Sequence, residues 1–242
     1  MDFSGLDAVL HLAGENVFGL WSAGKKRRIY ESRVDATRKM VAAMRSLSQP
    51  PKILVSASGV AIYGDRGDEI LDESSASGPG FLGEVVKDWE SSVAEANDFA
   101  RTCSLRIGMV LGPDGGGWPM LKRIFKLALG GRLGSGRQWM PWIHVDDVVR
   151  MMLFAIETST LSGPVNGVAP EEVTNLQFTK ELAKAVKRPA IFPVPGFVLK
   201  LLPGGMASIF LDSMRVRPTK AVASGFQFKH QTLAGALADL TA

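Results

Sequence analysis

Apolar residues in this 242-residue chain gather in short runs that alternate with longer stretches of helical period. Strand-sized runs stand at about 7–12, 51–57, 103–110, 142–145 and 164–167, the clearest being Ala8-Val9-Leu10-His11-Leu12-Ala13 and Ile53-Leu54-Val55. Between the first two, Ile29, Val34, Met40, Val41 and Met44 recur at helical spacing over 24–47, and the stretch stops before Ser48-Gln49-Pro50-Pro51. Further helices are expected over 81–100 and 120–129. Another is expected to start at Asp146, placed as an N-cap behind the strand Trp142-Ile143-His144-Val145. Strands alternating with crossover helices predict an α/β fold with a parallel, doubly wound sheet.

The last third reads differently. Thr174-Asn175-Leu176-Gln177 has the form of a capping box and opens a helix ending near Lys187-Arg188-Pro189. Ile191-Phe192-Pro193-Val194-Pro195 follows, then an apolar helix over 196–211 and short helices near 218–223 and 232–240. This pattern predicts a smaller, mostly helical lobe. No internal repeat or low-complexity tract is present.

With 46% hydrophobic and 21% charged residues the chain has enough apolar surface to bury a core, which excludes disorder. No apolar run approaches the roughly 20 residues of a membrane span. The opening Met1-Asp2-Phe3-Ser4-Gly5-Leu6-Asp7 has neither a charged n-region nor a long apolar h-region. A soluble, cytoplasmic protein with no membrane partner is expected. The single Cys103, in the buried-strand run Cys103-Ser104-Leu105-Arg106-Ile107, forms no internal disulfide or metal knuckle, and no metal is expected. A formal charge of +4 and a pI near 9.3 suit an acidic ligand such as a phosphate ester. The cluster Lys25-Lys26-Arg27-Arg28 opens a helical stretch without interleaved aromatics, so it reads as a solvated face and no nucleic-acid partner is expected.

The first strand ends in His11-Leu12-Ala13-Gly14-Glu15-Asn16, small residues at the carboxyl end of a strand, where open α/β sheets bind ligands. Further motifs follow in order: Ser32-Arg33-Val34-Asp35-Ala36-Thr37-Arg38; Ser56-Ala57-Ser58-Gly59-Val60-Ala61-Ile62-Tyr63-Gly64; Arg106-Ile107-Gly108-Met109-Val110-Leu111-Gly112-Pro113. Beyond these stand Gly134-Ser135-Gly136-Arg137-Gln138-Trp139-Met140-Pro141-Trp142-Ile143-His144-Val145-Asp146-Asp147 and Val165-Asn166-Gly167-Val168-Ala169-Pro170. Together the set resembles an atypical branch of the extended short-chain dehydrogenases, the nucleoside-diphosphate-sugar epimerase or, loosely, cell-division-inhibitor-like family. The resemblance extends over essentially the whole chain.

It implies a Rossmann-like NAD(P)-binding domain over 1–168, with 112–140 contributing to the substrate side, and a substrate lobe over 169–242. The implied cofactor is NADP(H), with NAD(H) as the alternative. Three departures accompany it. The family begins with a strand, a glycine-rich turn for the pyrophosphate and two further β/α units before the segment matching Asp7, whereas this chain begins at that segment, as a misassigned start or a truncation would explain. Gly115-Gly116-Gly117 lacks the fingerprint spacing and reads as a loop. The neighbouring strand's edge is then open to pairing, so a homo-oligomer through the sheet edge is expected. The second departure is catalytic: the stretch matching the family's Tyr-x-x-x-Lys pair reads Phe81-Leu82-Gly83-Glu84-Val85-Val86-Lys87, with no tyrosine and with Lys87 out of register. The third concerns the ligand, since Met109 stands where sugar-nucleotide epimerases usually carry Asn.

By resemblance, Leu12, Ala13 and Gly14 line the cofactor cleft through backbone contacts, Arg33 points into it and Val110 flanks the nicotinamide end. Arg33 serves a phosphate or ribose, or else forms a surface ion pair with Glu31 or Asp35. Ser58 and Tyr63 are the candidate catalytic hydroxyls, Tyr63 reading equally as a packed aromatic. Arg137, Gln138 and Trp139 read as a rigid loop tip or as a cover for substrate, and His144 as a satisfied core histidine. Three functions fit: an NADP(H)-dependent oxidoreductase or epimerase-like enzyme of unknown small-molecule substrate with an altered proton donor, a catalytically silent dinucleotide-binding or interaction protein, or an inactive fragment.

Overall fold

The computed structural model describes residues 2–115 and 117–241; Gly116, at the centre of the glycine triplet, lies outside them. In chain order the strands are β1 (Ala8–His11), β2 (Ile53–Gly59), β3 (Ile70–Leu71), β4 (Arg101–Ile107), β5 (Met109–Leu111), β6 (Trp142–His144), β7 (Gly163–Gly167) and β8 (Arg215–Val216). The helices are α1 (Ala23–Glu31), α2 (Val34–Arg45), α3 (Phe81–Ala94), α4 (Trp118–Lys126), α5 (Val145–Glu157), α6 (Asn175–Ala185), α7 (Gly196–Lys200), α8 (Ser208–Leu211), α9 (Thr219–Ala223) and α10 (Leu233–Thr241). The central sheet is parallel, in the order β1-β2-β4-β7, with Val9 opposite Leu54, Val55 opposite Cys103 and Leu105 opposite Val165.

Alternation along the strands sends apolar side chains to both faces, as expected of a doubly wound sheet. Val55, Cys103, Leu105 and Val165 meet Met151, Met152 and Ala155 of α5 on one side. Val9 and Leu54 meet Met40, Val41 and Met44 of α2 and Trp89 and Val93 of α3 on the other. Burial pushes the Cys103 thiol up to about 11, which keeps it unreactive. Among the described residues β1 has β2 as its one strand partner, and Leu10 and Leu12 stand exposed beside its free edge. No described helix is long and apolar enough to cross a membrane.

Several expected boundaries move, each for a local reason. The helix expected over 24–47 is broken at Ser32-Arg33, because Ser32 Oγ accepts from Glu15 N (2.9 Å) and the Arg33 side chain turns back to Ile29 O. The strand expected over 103–110 divides at Gly108, where a Cβ would lie 2.7 Å from Pro141 O. The third helix occupies 118–126, with Pro119 in its first turn and a stop at Ala128, whose φ is 57°. The second stops at Ala94, and the helix expected over 196–211 breaks around Pro203-Gly204-Gly205. At Gly204 (φ 77°) a Cβ would lie 2.2 Å from Trp21 O, so two distant segments touch there through backbone. Asp146 is not the cap of α5: His144 is, its Nδ1 accepting from Asp146 N at 3.2 Å. The capping box at Thr174 and Gln177 forms as expected.

In the last third, α10 folds back to share a core with α4 and α6, built on Trp118, Phe125, Phe178, Leu182 and Leu237. Arg101, at the start of β4, reaches across to the end of α5 and donates to Ala155 O (2.8 Å), Ile156 O (2.8 Å) and Leu161 O (2.5 Å). The carbonyls of Ala155 and Ile156, in the last turn of α5, have no partner within the helix, and the cation also meets the negative end of its dipole. Arg101→Met is expected to lower stability by roughly 1.5–3 kcal/mol, read as a lower urea midpoint at unchanged m-value; an unchanged midpoint would show that water serves these carbonyls as well.

Candidate functional site

Two groups of polar residues gather at the carboxyl ends of the strands. The first surrounds the end of β1. His11 is buried, with Nε2 3.0 Å from Thr37 Oγ1 and its ring edge-on to Trp89 at 6.2 Å. Beyond it Leu12, Ala13 and Gly14 are exposed. A Cβ at Gly14 would lie 3.0 Å from Arg33 Cζ, so the missing side chain is what lets the guanidinium rest against the backbone. Arg33 is fixed by donation from Nη1 to Glu15 O (3.0 Å) and by stacking over the Trp89 ring at 5.3 Å. Burial lowers its pKa from the usual guanidinium value. The alternative ion pairs are not formed: among the described residues Arg33 has no carboxylate within salt-bridge distance, Glu31 pairs with Arg27, and Glu15 is met by Lys25 at 2.8 Å.

The second group holds both candidate hydroxyls, Ser58 and Tyr63, around an ion pair that the sequence reading missed. Arg106 donates through Nε and Nη2 to the two oxygens of Glu90, both at 2.8 Å, with the side chains 8% and 15% exposed. Ser58 Oγ donates to Glu90 Oε1 at 2.6 Å. Arg106 Nη1 donates to the Tyr63 hydroxyl at 2.9 Å, and that hydroxyl faces Asn166 Oδ1 (2.7 Å) and Asp72 O (2.9 Å). Asn166 is held in turn by Glu73, which accepts from its backbone N–H at 2.9 Å, and by donation of Nδ2 to Arg217 O at 2.9 Å.

In this arrangement Tyr63 takes the packed-aromatic alternative. Its side chain is fully buried, its hydroxyl is committed on every side, and burial raises its pKa. Ser58 is 6% exposed, with its hydroxyl on Glu90 of α3. Val110 belongs to neither group; it is half-buried in β5, opposite Ile143 and packed on the α5-side core. Phe81 and Leu82 pack with Trp21, Met206, Ile209 and Phe210 into an apolar wall, while Lys87 lies on a different groove, of about 430 Å³, beside Ser104 and Arg106. A charged residue inside an apolar strand was the signal that could have found this network, since a buried guanidinium needs a partner.

Two smaller readings also change. Gln138 is no loop tip: it is buried, and Nε2 donates to Leu133 O and Phe210 O, while Trp139 Nε1 donates to Asp68 at 2.7 Å. His144 is only half-satisfied. Its Nδ1 caps α5 but Nε2 has no hydrogen-bond partner, and its ring stacks on His230 at 3.8 Å with a 31° tilt. His144, Asp146 and His230 bring candidate metal-ligand atoms within 4.8 Å of one another. The near-parallel rings, the use of Nδ1 by the helix and the Lys229 ammonium on Asp146 (2.6 Å) fit a salt-bridged cap better than a metal centre.

Known proteins place this geometry. The model of the NAD dependent epimerase/dehydratase family matches residues 1–166, and a domain of unknown function, DUF1731, matches 194–240. The chain belongs to the NAD dependent epimerase/dehydratase family. Among curated members it is 39% identical over 235 residues to the chloroplastic epimerase family protein SDR39U1 homolog of Arabidopsis thaliana, covering 96% of this chain and 68% of that one. To the epimerase family protein YfhF of Bacillus subtilis it is 37% identical, covering 98% and 78%. The crystal structure of the human epimerase family protein SDR39U1 (isoform 2) with NADPH superposes with a TM-score of 0.92 at 33% identity, over 97% of this chain and 81% of that one. The shared fold is thus an extended short-chain-dehydrogenase Rossmann sheet.

Tyr63→Phe is expected to lower stability by roughly 1–3 kcal/mol, and Arg106→Met, which leaves Glu90 buried and unpaired, by roughly 3–5 kcal/mol, both measured by urea unfolding. A Tyr63→Phe protein of unchanged stability would return Tyr63 to the catalytic candidates. Asp212, half-buried beside Asp65, has its pKa pushed up to about 6, mainly by burial and further by Asp65. The folded chain therefore binds a proton more tightly there than the unfolded one, and stability falls as pH rises from the ordinary carboxylate value through about 6. Asp212→Asn is expected to raise the melting temperature at pH 7.5 and to lose that advantage below about pH 4; an equal gain at both would show that charge is not the cause.

Proposed function

We propose that this chain binds NADP(H) at the carboxyl end of β1, and that it does so without the tyrosine–lysine proton relay of short-chain dehydrogenases. The observation that carries the reading is Arg33, held against Gly14 by Trp89 and Glu15 O, with no carboxylate within salt-bridge distance among the described residues. An oriented, unpaired guanidinium beside an exposed strand end is suited to a phosphate or a ribose. The NADPH in the human relative's structure supports the same cofactor here. Leu12, Ala13 and Gly14 offer backbone groups to it, and Arg33 the positive charge. NAD(H) is the second candidate.

When bound, NADP(H) supplies hydride donor or acceptor chemistry. The chain's own contribution is binding and shielding: the wall of Phe81, Leu82, Trp21 and Phe210 excludes water but moves no proton. Ser58 and Tyr63 are held by Glu90, Arg106 and Asn166. These features favour a dinucleotide-binding protein with slow or no turnover over an epimerase acting on a small-molecule substrate.

Fluorescence titration tests the reading. NADPH is expected to bind more tightly than NADH, and Arg33→Met to weaken NADPH by tenfold or more, on the order of the loss of a charge-assisted contact, with an unchanged circular dichroism spectrum. Equal NADPH affinity in the variant, or none in the parent chain, would sink the assignment. NADPH oxidation at more than about 1 s⁻¹, an ordinary enzymatic rate, with any carbonyl substrate would restore the enzyme reading.

A further inference from the structure

The chain's positive charge is unevenly placed. Residues 117–137 and 176–201 carry ten Lys and Arg against one acid, Glu181, an excess of nine in a chain whose total is +4, so the remainder is net acidic. These two segments lie side by side. Phe192 N donates to Gly130 O (3.2 Å), Val194 N to Arg132 O (2.9 Å) and Arg188 Nε to Lys126 O (3.3 Å), while Gly131 is so close to Phe192 that a Cβ would lie 2.0 Å from its carbonyl oxygen.

The same face displays large apolar side chains. Leu127 is 61% exposed, Ile191 67%, Phe197 70% and Leu201 78%. None of the residues of α7 is buried. Against this face lies a cavity of about 430 Å³ whose lining combines Arg132 and Lys180 with Leu176, Ala183, Ile191 and Pro193. Cations interspersed with protruding apolar groups are the chemistry of a surface that meets anionic headgroups and the acyl boundary together.

We propose that this face docks the protein onto an anionic phospholipid surface, as a peripheral contact and not a span. Charge complementarity selects the occupant: the cationic excess of the two segments matches an anionic partner, and the projecting apolar groups need a medium that accepts them without a matching shape. Most of them are aliphatic, which a lipid interior receives and on which nucleotide bases have no ring to stack. The proposal is independent of the cofactor reading.

Flotation of the full chain with two kinds of vesicle tests the proposal: phosphatidylcholine alone, and phosphatidylcholine with about a third phosphatidylglycerol. Binding is expected to the anionic vesicles and to be at least tenfold weaker to the neutral ones, and to fall when salt is raised from about 50 to about 500 mM. Lys126→Gln with Lys184→Gln and Lys200→Gln, all exposed, is expected to weaken it on the order of a hundredfold. Phe197→Ser with Leu201→Ser should weaken it while leaving NADPH titration unchanged. Equal binding to both vesicles, or none to either, overturns the proposal. So does a concentration-dependent dimer in sedimentation that Phe197→Ser with Leu201→Ser abolishes, or single-stranded RNA that displaces the protein from vesicles.

Discussion

A carboxylate and a guanidinium taken out of water together govern the interior of this protein. Moving either ion alone into the space between α3 and the sheet would cost several kcal/mol. The Glu90–Arg106 pair is tolerated because its remaining hydrogen-bonding capacity is met, by Ser58 on one side and Tyr63 on the other. Tyr63 then requires Asn166, and Asn166 requires Glu73 and the carbonyl of Arg217. One ion pair thereby fixes residues from β2, α3, β4 and β7 and from the segment after β8. It also decides what those residues do: hydroxyls at the carboxyl ends of strands, the usual place for chemistry, are committed to satisfying the pair.

That commitment divides the strand ends into two regions of different character. At the open end of β1 the backbone is exposed and Arg33 has charge to offer. Toward β4 and β7, Glu90, Arg106, Tyr63 and Asn166 are already matched to one another. Between them, the wall around Phe81 is closed by the 202–210 segment, which touches the loop before α1 where Gly204 meets Trp21. The open end of β1 and the buried network thus differ in character, and the cationic face formed by α4, α6 and α7 is a third region with its own electrostatics.

Much of this was legible in the chain. Alternating apolar runs and helical periods located the main strands and both helical layers, and Thr174 with Gln177 marked its cap from sequence alone. Gly14 and Arg33, assigned to one cleft by resemblance, touch. Boundaries were missed where side chains, not periodicity, set them: Ser32 and Arg33 break a helix that apolar spacing carries through, and His144 takes the cap that Asp146 was expected to fill. The network was invisible because its hydrogen-bonded partners lie up to 103 positions apart, as Tyr63 and Asn166 do, and no local pattern records such a partnership. The basic face escaped notice for the same reason: its two segments are unremarkable until the fold sets Lys126 beside Arg188.

The order of the central sheet bears on how the chain can be made. Its strands, β1, β2, β4 and β7, lie in space in the order in which they are synthesised. Each strand, on emerging, finds its neighbour already present, so the sheet can grow from one side without a vacancy held open for a later strand. Glu90 emerges before Arg106, Asn166 follows, and the carbonyl of Arg217 comes last. Until β7 docks, the Tyr63 hydroxyl lacks Asn166 as one of its partners.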